Sequence, residues 1–187
     1  MQNTDDLLIQ KACSGDDLAA QKLFMKYQDG IFSYLLRLLK DEPKAEDAAQ
    51  ETFMRGYRAL PRYKAKGSFK SWLFKIARRE GLRILAFEKK RFLREEECFD
   101  SDNGIEKRVC PMPRAEEKIE IWQDKARLEK ALAELPLHER EVVMLRIYEE
   151  LTFKEIAMLM DCPLNTALGR MHNAVKKLKA QLGECHE

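Results

Sequence analysis

The carboxyl-terminal part of the chain contains, from residue 151 to residue 178, the segment LTFKEIAMLMDCPLNTALGRMHNAVKKL. Thr152 and Glu155 have the spacing of a capping box, in which each side chain accepts a hydrogen bond from the backbone N–H of the other residue and so starts a helix. The apolar spacing then predicts a short helix over 153–160, a tight turn, and a longer helix over 164–182. This order is typical of a helix-turn-helix, whose second helix can enter the major groove of DNA.

The longer helix has a polar outer face that carries cations and amides but no acid. Its residues are Asn165, Arg170, His172, Asn173, Lys176, Lys177 and Lys179. Such a face predicts contact with DNA phosphates and base edges. The alternative is an ordinary helical hairpin within a core, which the absence of acids disfavours.

The rest of the chain also has helical periodicity, and no stretch has the alternation of a β-strand. Four helices are predicted before residue 93, the third with Pro43 in its first turn and the fourth capped by Ser68 and continuing to about residue 90. A single amphipathic helix is predicted over 137–148, with Ile147 among its apolar residues.

Periodicity fails between residues 94 and 113, where acids, Gly104 and two prolines follow one another. We therefore predict an all-α fold of two small helical domains, residues 1–93 and 114–187, joined by a flexible acidic linker over 94–113. The second domain contains the helix-turn-helix.

Charge is unevenly distributed, although the net charge is only +2. Residues 41–51 and 95–120 are mainly acidic, whereas residues 62–94 and 162–182 are mainly basic. This pattern indicates two surfaces for a polyanion and one surface for a basic or polar protein partner. The alternative interpretation is a set of solvated helix faces.

Several classes of protein are excluded or disfavoured. Charges interrupt every apolar run well before the roughly 20 residues that a membrane span requires, so we predict no membrane insertion. The five cysteines form no C-x-x-C pair, and Cys98, Cys110 and Cys185 beside His186 lack zinc-type spacing, so we predict neither a metal nor a cofactor. Without a nucleophile motif or a phosphate-binding loop, the chain is predicted not to be an enzyme.

Two parts of the sequence resemble the extracytoplasmic-function (ECF) sigma factors of bacterial RNA polymerase. The first part comprises AEDAAQETF at 45–53, YRAL at 57–60 and GSFKSWLFKIAR at 67–78. The second comprises LPLHEREVV at 135–143, LTFKEIA at 151–157 and NTALGR at 165–170. The resemblance implies a cytoplasmic, non-enzymatic factor that binds core RNA polymerase and promoter DNA, is nucleoid-associated when bound to polymerase, and is controlled by an anti-sigma factor.

The resemblance also implies site residues. The polymerase-binding residues would be Glu46, Asp47, Gln50 and Glu51. The residues that bind the minus-ten strand would be Tyr63, Lys64, Lys66, Lys70, Trp72, Lys75, Arg78, Arg79 and Arg83. The residues that bind the minus-thirty-five duplex would be Thr166, Leu168, Gly169, Arg170, His172, Asn173, Lys176 and Lys177.

Alternatives exist for some of these residues. Phe69 and Trp72 share an apolar stripe and are expected in the core, which leaves Tyr63 as the better residue for stacking on a base. In the fourth helix, Arg79 stands where the family usually has asparagine, and Arg83 stands where it has an acid. An alternative function is a stand-alone helix-turn-helix regulator of duplex operators, which would leave the acidic segment around Asp47 without a role.

Overall fold

The computed structural model describes residues 2–64, 68–98 and 119–183, and all of its regular elements are helical. The first part of the chain forms helices α1 (Gln2–Cys13), α2 (Asp17–Leu39), α3 (Glu42–Ala59) and α4 (Phe69–Cys98), with a 3₁₀ turn at Leu60–Arg62. The second part forms α5 (Ile119–Glu134), α6 (Leu137–Val143), a π-helical turn (Met144–Tyr148), α7 (Phe153–Leu159) and α8 (Leu164–Gly183). The predicted all-α class is confirmed.

The helices of the first part begin and end where local chemistry dictates. The side chain of Asp16 accepts a hydrogen bond from the backbone of Ala19 at 3.0 Å and caps α2, and Asp41 accepts one from Lys44 at 3.1 Å and caps α3. Pro43 lies in the first turn of α3, as predicted. Lys40 ends α2 in the left-handed conformation, with φ of 56°.

Helices α2, α3 and α4 pack around a common apolar core. Helix α3 contributes small side chains, so that its backbone can approach its neighbours closely, while α2 and α4 contribute large ones. The rings of Tyr34 and Phe74 meet edge to face at 5.6 Å between centroids. The buried residues include Leu23, Ile31, Leu35, Leu38, Ala45, Ala48, Ala49, Phe69, Leu73 and Ala77.

The helix-turn-helix of the second part forms as predicted. The backbone N–H of Thr152 donates to Glu155 Oε2 at 2.9 Å, and the backbone N–H of Glu155 donates to Thr152 Oγ1 at 3.3 Å, which completes the capping box. Helix α7 ends one residue earlier than predicted, at Leu159, with Met160 as its cap. Helices α5, α6 and α8 meet at a small core of Leu132, Leu135, Val143 and Ala174.

Two helices differ from the sequence predictions by more than one residue. Residues 137–148 are not one α-helix, because the last turn widens into a π-helical turn, which adds a residue per turn and rotates the following side chains. Ile147 is 59% exposed in consequence, whereas Leu145 stays buried. Helix α4 continues to Cys98, so the first residues of the predicted linker are helical; the remainder, 99–113, lies outside the described residues.

Helices α1–α4 form a first unit and helices α5–α8 a second unit. The two units are packed against each other, which the sequence did not predict. One continuous cluster of buried apolar residues includes Leu73 and Phe74 of α4 together with Leu145 and Ile156 of the second unit. Within the described ranges, no helix is long and apolar enough to cross a membrane, and no three metal-binding side chains cluster. Cys110, Cys185 and His186 lie outside the described residues, as does the side chain of Cys98.

The close approach of α4 to α2 depends on Gly81. A Cβ atom at residue 81 would lie 2.5 Å from Leu38 Cδ2 and 3.2 Å from Leu35 Cδ2, whereas a Cβ atom at Gly169 of α8 would meet nothing within 4 Å. The helix propensity gained from alanine is about 1 kcal/mol at either position and cancels in a comparison. We expect Gly81→Ala to have an unfolding free energy about 1–3 kcal/mol below that of Gly169→Ala, measured by urea denaturation. Equal values would contradict this packing.

Candidate nucleic-acid interface

The exposed face of α8 brings together most of the residues predicted to bind the minus-thirty-five duplex. Ala167 and Ala174 are fully buried against the rest of the unit, and this packing turns the opposite side of the helix to solvent. Gly169, His172, Asn173 and Lys176 recur there at helical spacing. Thr166 is also exposed, and Leu168 is 42% exposed beside it.

The two other predicted residues of α8 have partners within the chain. Lys177 Nζ lies 2.8 Å from Glu139 Oε1, in an ion pair at the surface. An exposed pair of this kind contributes at most about 1 kcal/mol, so a phosphate can replace the carboxylate. Arg170 is half-buried, and its Nη1 lies 3.7 Å from the Sγ of Cys162.

The acidic face of α3 is a second exposed surface. Glu46, Asp47 and Gln50 point to solvent, while Ala45, Ala48 and Ala49 are buried on the other side of the helix. Asp47 and Gln50 are one turn apart and can offer acceptors to a single partner.

The carboxylate of Glu51, on the same helix, is held by a hydrogen bond within α3. Its Oε1 accepts a hydrogen bond from Arg55 Nε at 2.6 Å, and this bond holds the pKa of the Glu51 carboxyl below its usual value.

The structure does not gather the predicted minus-ten residues on one open surface. Lys64, Arg79 and Arg83 are exposed, with Arg83 bound to Glu80 of its own helix, whereas Lys70, Lys75 and Arg78 face the second unit. Lys66 lies outside the described residues.

The aromatic residues of this region pack together. Phe69 is buried, as predicted, and Trp72 is partly buried. The ring of Tyr63 lies 5.5 Å from that of Phe69 and 5.0 Å from that of Trp72, measured between centroids. Tyr63 is thus a partly buried member of an aromatic cluster and also lines the open cleft beside Trp72.

The centre of the contact between the two units is the carboxylate of Glu141 on α6, which has 0% exposure. Arg78 of α4 binds it through two nitrogens, Nε to Oε1 at 2.7 Å and Nη2 to Oε2 at 3.2 Å. Tyr34 donates its hydroxyl to Oε1 at 3.2 Å, and His138 Nδ1 lies 3.2 Å from Oε2. Burial, and then the charge of Glu141, raises the pKa of Tyr34 well above its ordinary value, so this phenol stays protonated.

Two other lysines of α4 also bind the second unit. Lys70 Nζ lies 3.0 Å from Oε2 of the buried Glu149 and donates to the carbonyl of the same residue at 2.6 Å. Lys75 Nζ pairs with Asp161 and donates to the carbonyl of Met158 at 2.9 Å. The hydrogen bond from Lys75 holds the pKa of Asp161 below its usual value.

Beside these contacts, an open cleft of about 560 Å³ lies between Trp72 on α4 and Cys162 in the turn before α8. At its edge, Ser68 donates to Glu155 and accepts the backbone N–H of Ser71 at 3.2 Å. Glu155 therefore serves both the capping box and the contact between the units. Burial would raise the pKa of Glu155, but hydrogen bonds from Ser68 and Thr152 lower it below its usual value.

Sequence reasoning missed Glu141, Glu149 and Tyr34, which hold the units together. One signal was available for Glu141, because it lies on the same helical face as Leu137 and Leu145, where an acid is unexpected. The pattern indicates that such an acid needs a cationic partner, but it does not identify the residue that provides the cation.

Comparison with known proteins gives matches along most of the chain. The family profile of Sigma-70 region 2 matches residues 23–91, and that of Sigma-70, region 4, matches residues 125–178. The RNA polymerase sigma-H factor of Pseudomonas aeruginosa is 30% identical over 179 residues, which cover 92% of this chain and 91% of that protein. The ECF RNA polymerase sigma-E factor of Escherichia coli is 28% identical over 182 residues, which cover 92% and 91%.

Solved structures of similar fold include two complexes. CnrH, in complex with the cytosolic domain of CnrY, has a TM-score of 0.68 at 21% identity and covers 97% of this chain and 98% of its own. The sigma factor RpoE of Bartonella quintana, in complex with the anti-sigma factor NepR, has a TM-score of 0.69 at 19% identity and covers 89% and 98%.

The ion pair of Arg78 with Glu141 is expected to hold the two units together. Removing one charge of a buried pair leaves the other without compensation, so Glu141→Gln should lower the unfolding free energy by about 3 kcal/mol. Adding Arg78→Gln should cost less than the sum of the two single changes. Urea denaturation measures stability, and small-angle X-ray scattering should show a larger radius of gyration for Glu141→Gln.

The matched control is Glu150→Gln, which removes the charge of an exposed glutamate nearby. It should leave both quantities unchanged. Identical behaviour of the Glu141 and Glu150 variants would show that this pair does not join the units.

Proposed function

This chain belongs to the sigma-70 family of RNA polymerase sigma factors, in its ECF group, and on that premise we propose which of its surfaces act in transcription initiation. The observation that carries the proposal is the separation of two exposed surfaces on different units. One is the acidic face of α3 and the other is the acid-free face of α8. One surface suits a basic protein and the other suits DNA.

The face of α3 binds core RNA polymerase in this proposal. Glu46, Asp47 and Gln50 are exposed and have no partner among the described contacts that would compete. Carboxylates and an amide on adjacent turns accept hydrogen bonds from arginine in a fixed geometry. Glu51 would join this surface while it remains bound to Arg55.

The face of α8 reads the minus-thirty-five element in the major groove. Asn173 and His172 have the chemistry for base edges, and Leu168 has the apolar surface for a thymine methyl group. Lys176, Lys177 and Arg170 would bind phosphates, which position the helix without reading sequence.

The minus-ten strand would bind α4 and the segment before it. Lys64, Arg79 and Arg83 are open to it in the packed arrangement, but Lys70, Lys75 and Arg78 are not. We therefore propose that the two units separate when the factor engages a promoter. Separation would release these three cations and open the cleft beside Trp72 to unstacked bases.

The distance between the two promoter elements supports separation of the units. Promoter elements about 25 base pairs apart are about 85 Å apart along the duplex. A compact chain of this size has a radius of gyration of about 16 Å and is therefore about 40 Å across. Units divided as 1–93 and 114–187 can therefore lie on elements this far apart only if they move away from each other.

Three further features complete the proposal. The chain acts by binding and has no catalytic activity of its own. The structures of CnrH and of the Bartonella RpoE each contain a bound partner, and we extend the expectation of an anti-sigma factor to this chain. A stand-alone regulator is disfavoured, because such a protein would have no use for the region 2 match or for the acidic face of α3.

Polymerase binding can be tested with the exposed face of α3. Asp47→Arg combined with Gln50→Ala should abolish both association with core polymerase and run-off transcription. The first change places a positive charge opposite the arginines expected on polymerase, and the second removes a hydrogen-bond acceptor. Far-ultraviolet circular dichroism should remain helical. Asp29→Lys, which reverses the charge of an exposed acid on α2, is the control and should leave association intact. Undiminished association of the double variant would contradict the assignment.

Promoter reading can be tested on α8 with two exposed residues of opposite expected behaviour. Asn173→Ala should change which minus-thirty-five sequences the holoenzyme uses, because it removes a base contact. Lys176→Gln should weaken all sequences alike and lower the slope of log affinity against log salt by about one, because it removes a phosphate contact. Binding titrations on a promoter library measure both effects. Sequence-blind losses in both variants would show that Asn173 does not read bases.

A further inference from the structure

The carboxylate of Glu80 on α4 is buried between α3 and α4, with only 2% of the residue exposed. Its Oε1 lies 3.1 Å from Nη1 of Arg55 on α3, and its Oε2 lies 3.0 Å from Nε of Arg83, one turn further along α4. An unpaired carboxylate would be unfavourable at this buried position, and the two arginines compensate its charge.

The two arginines connect Glu80 to the proposed functional surfaces. Arg55 Nε lies 2.6 Å from Oε1 of Glu51, at the edge of the acidic face of α3. The hydrogen bond to Glu51, and then the charge of Glu80, raises the pKa of Arg55. Alternating charges thus run from Glu51 through Arg55 and Glu80 to Arg83. The proposed function gives roles to Glu51 and Arg83, at the two ends of this series, but none to Arg55 or Glu80.

Because both arginines are largely exposed, the buried carboxylate of Glu80 is the contact that can restrict their side-chain conformations. The side chains of Arg55 and Arg83 are 49% and 63% exposed, so little apolar packing restrains them. A free arginine side chain loses rotamer entropy when it is fixed on a ligand. A buried, immobile acceptor that already holds the Nε edge leaves the terminal nitrogens of Arg83 available and reduces that loss.

We propose that Glu80 is a positioning residue that holds Arg83 ready for a phosphate of the minus-ten strand and, through Arg55, keeps Glu51 in place on the polymerase-binding face. This inference rests on the proposed function and adds to it a buried residue that contacts neither polymerase nor DNA. It also means that docking and strand capture share one network of charges.

The test uses holoenzyme assembled from core polymerase and the full chain, bound to a promoter fork with a single-stranded minus-ten region. Glu80→Gln should weaken fork binding about 5- to 10-fold and lower the salt slope by about one, because Arg83 is no longer held. Affinity for core polymerase should fall by a smaller factor. Glu88→Gln, which removes another α4 acid that is paired with Lys44, is the matched control and should change neither quantity.

A second variant separates positioning from charge and from folding. Arg83→Lys keeps the positive charge on an exposed side chain but removes the Nε–H that binds Glu80. It should lose most of the affinity that Glu80→Gln loses, and the two changes combined should lose little more. If Glu80→Gln does not fold, Arg83→Lys alone decides the matter.

The outcomes that overturn the proposal are distinct. If Arg83→Lys binds the fork like the unchanged chain, or if Glu80→Gln is less stable but has unchanged fork affinity and salt slope, Glu80 only ties α3 to α4. If the unchanged chain binds neither polymerase nor the fork, the proposed function itself is wrong.

Discussion

The arrangement of this molecule depends on the burial of one carboxylate, that of Glu141. Removed from water, this group is tolerable only because Arg78 meets it with two hydrogen bonds and Tyr34 with a third. These partners come from α4 and α2, whereas the second unit itself supplies only His138 beside Oε2, so the arginine that compensates this buried charge is in place when the two units are in contact. Lys70 with Glu149 and Lys75 with Asp161 extend the same contact on either side.

This contact has a direct consequence for function. Cations that suit a DNA backbone are bound to carboxylates of the same chain, while the acidic face of α3 and the outer face of α8 remain open. If these faces act as proposed, the molecule meets polymerase and duplex DNA before Lys70, Lys75 and Arg78 can bind a melted strand. In that proposal the phosphates of the strand replace the glutamates and the aspartate as partners of these cations.

Buried acids recur as the means by which the chain places its arginines. Glu141 fixes Arg78 across the contact between units, and Glu80 fixes Arg55 and Arg83 within the first unit. An arginine held by a buried carboxylate has a defined position at the surface, whereas one held only by exposed contacts has many. Arg83 stands where the family pattern has an acid, and Glu80, one turn earlier, provides the acid that this arginine binds.

The sequence by itself determined the helices, their caps and the helix-turn-helix, because these depend on neighbours within a few residues. Asp16, Asp41 and the Thr152–Glu155 capping box act over three residues, and apolar spacing orients α8 without reference to the rest of the chain. Only the tertiary structure decided the partners of the buried acids. Arg78 and Glu141 are 63 positions apart, and Tyr34 and Glu141 are 107 apart. A periodic pattern shows that an acid faces a core, but the cation that compensates it comes from another helix, and only packing brings the two together.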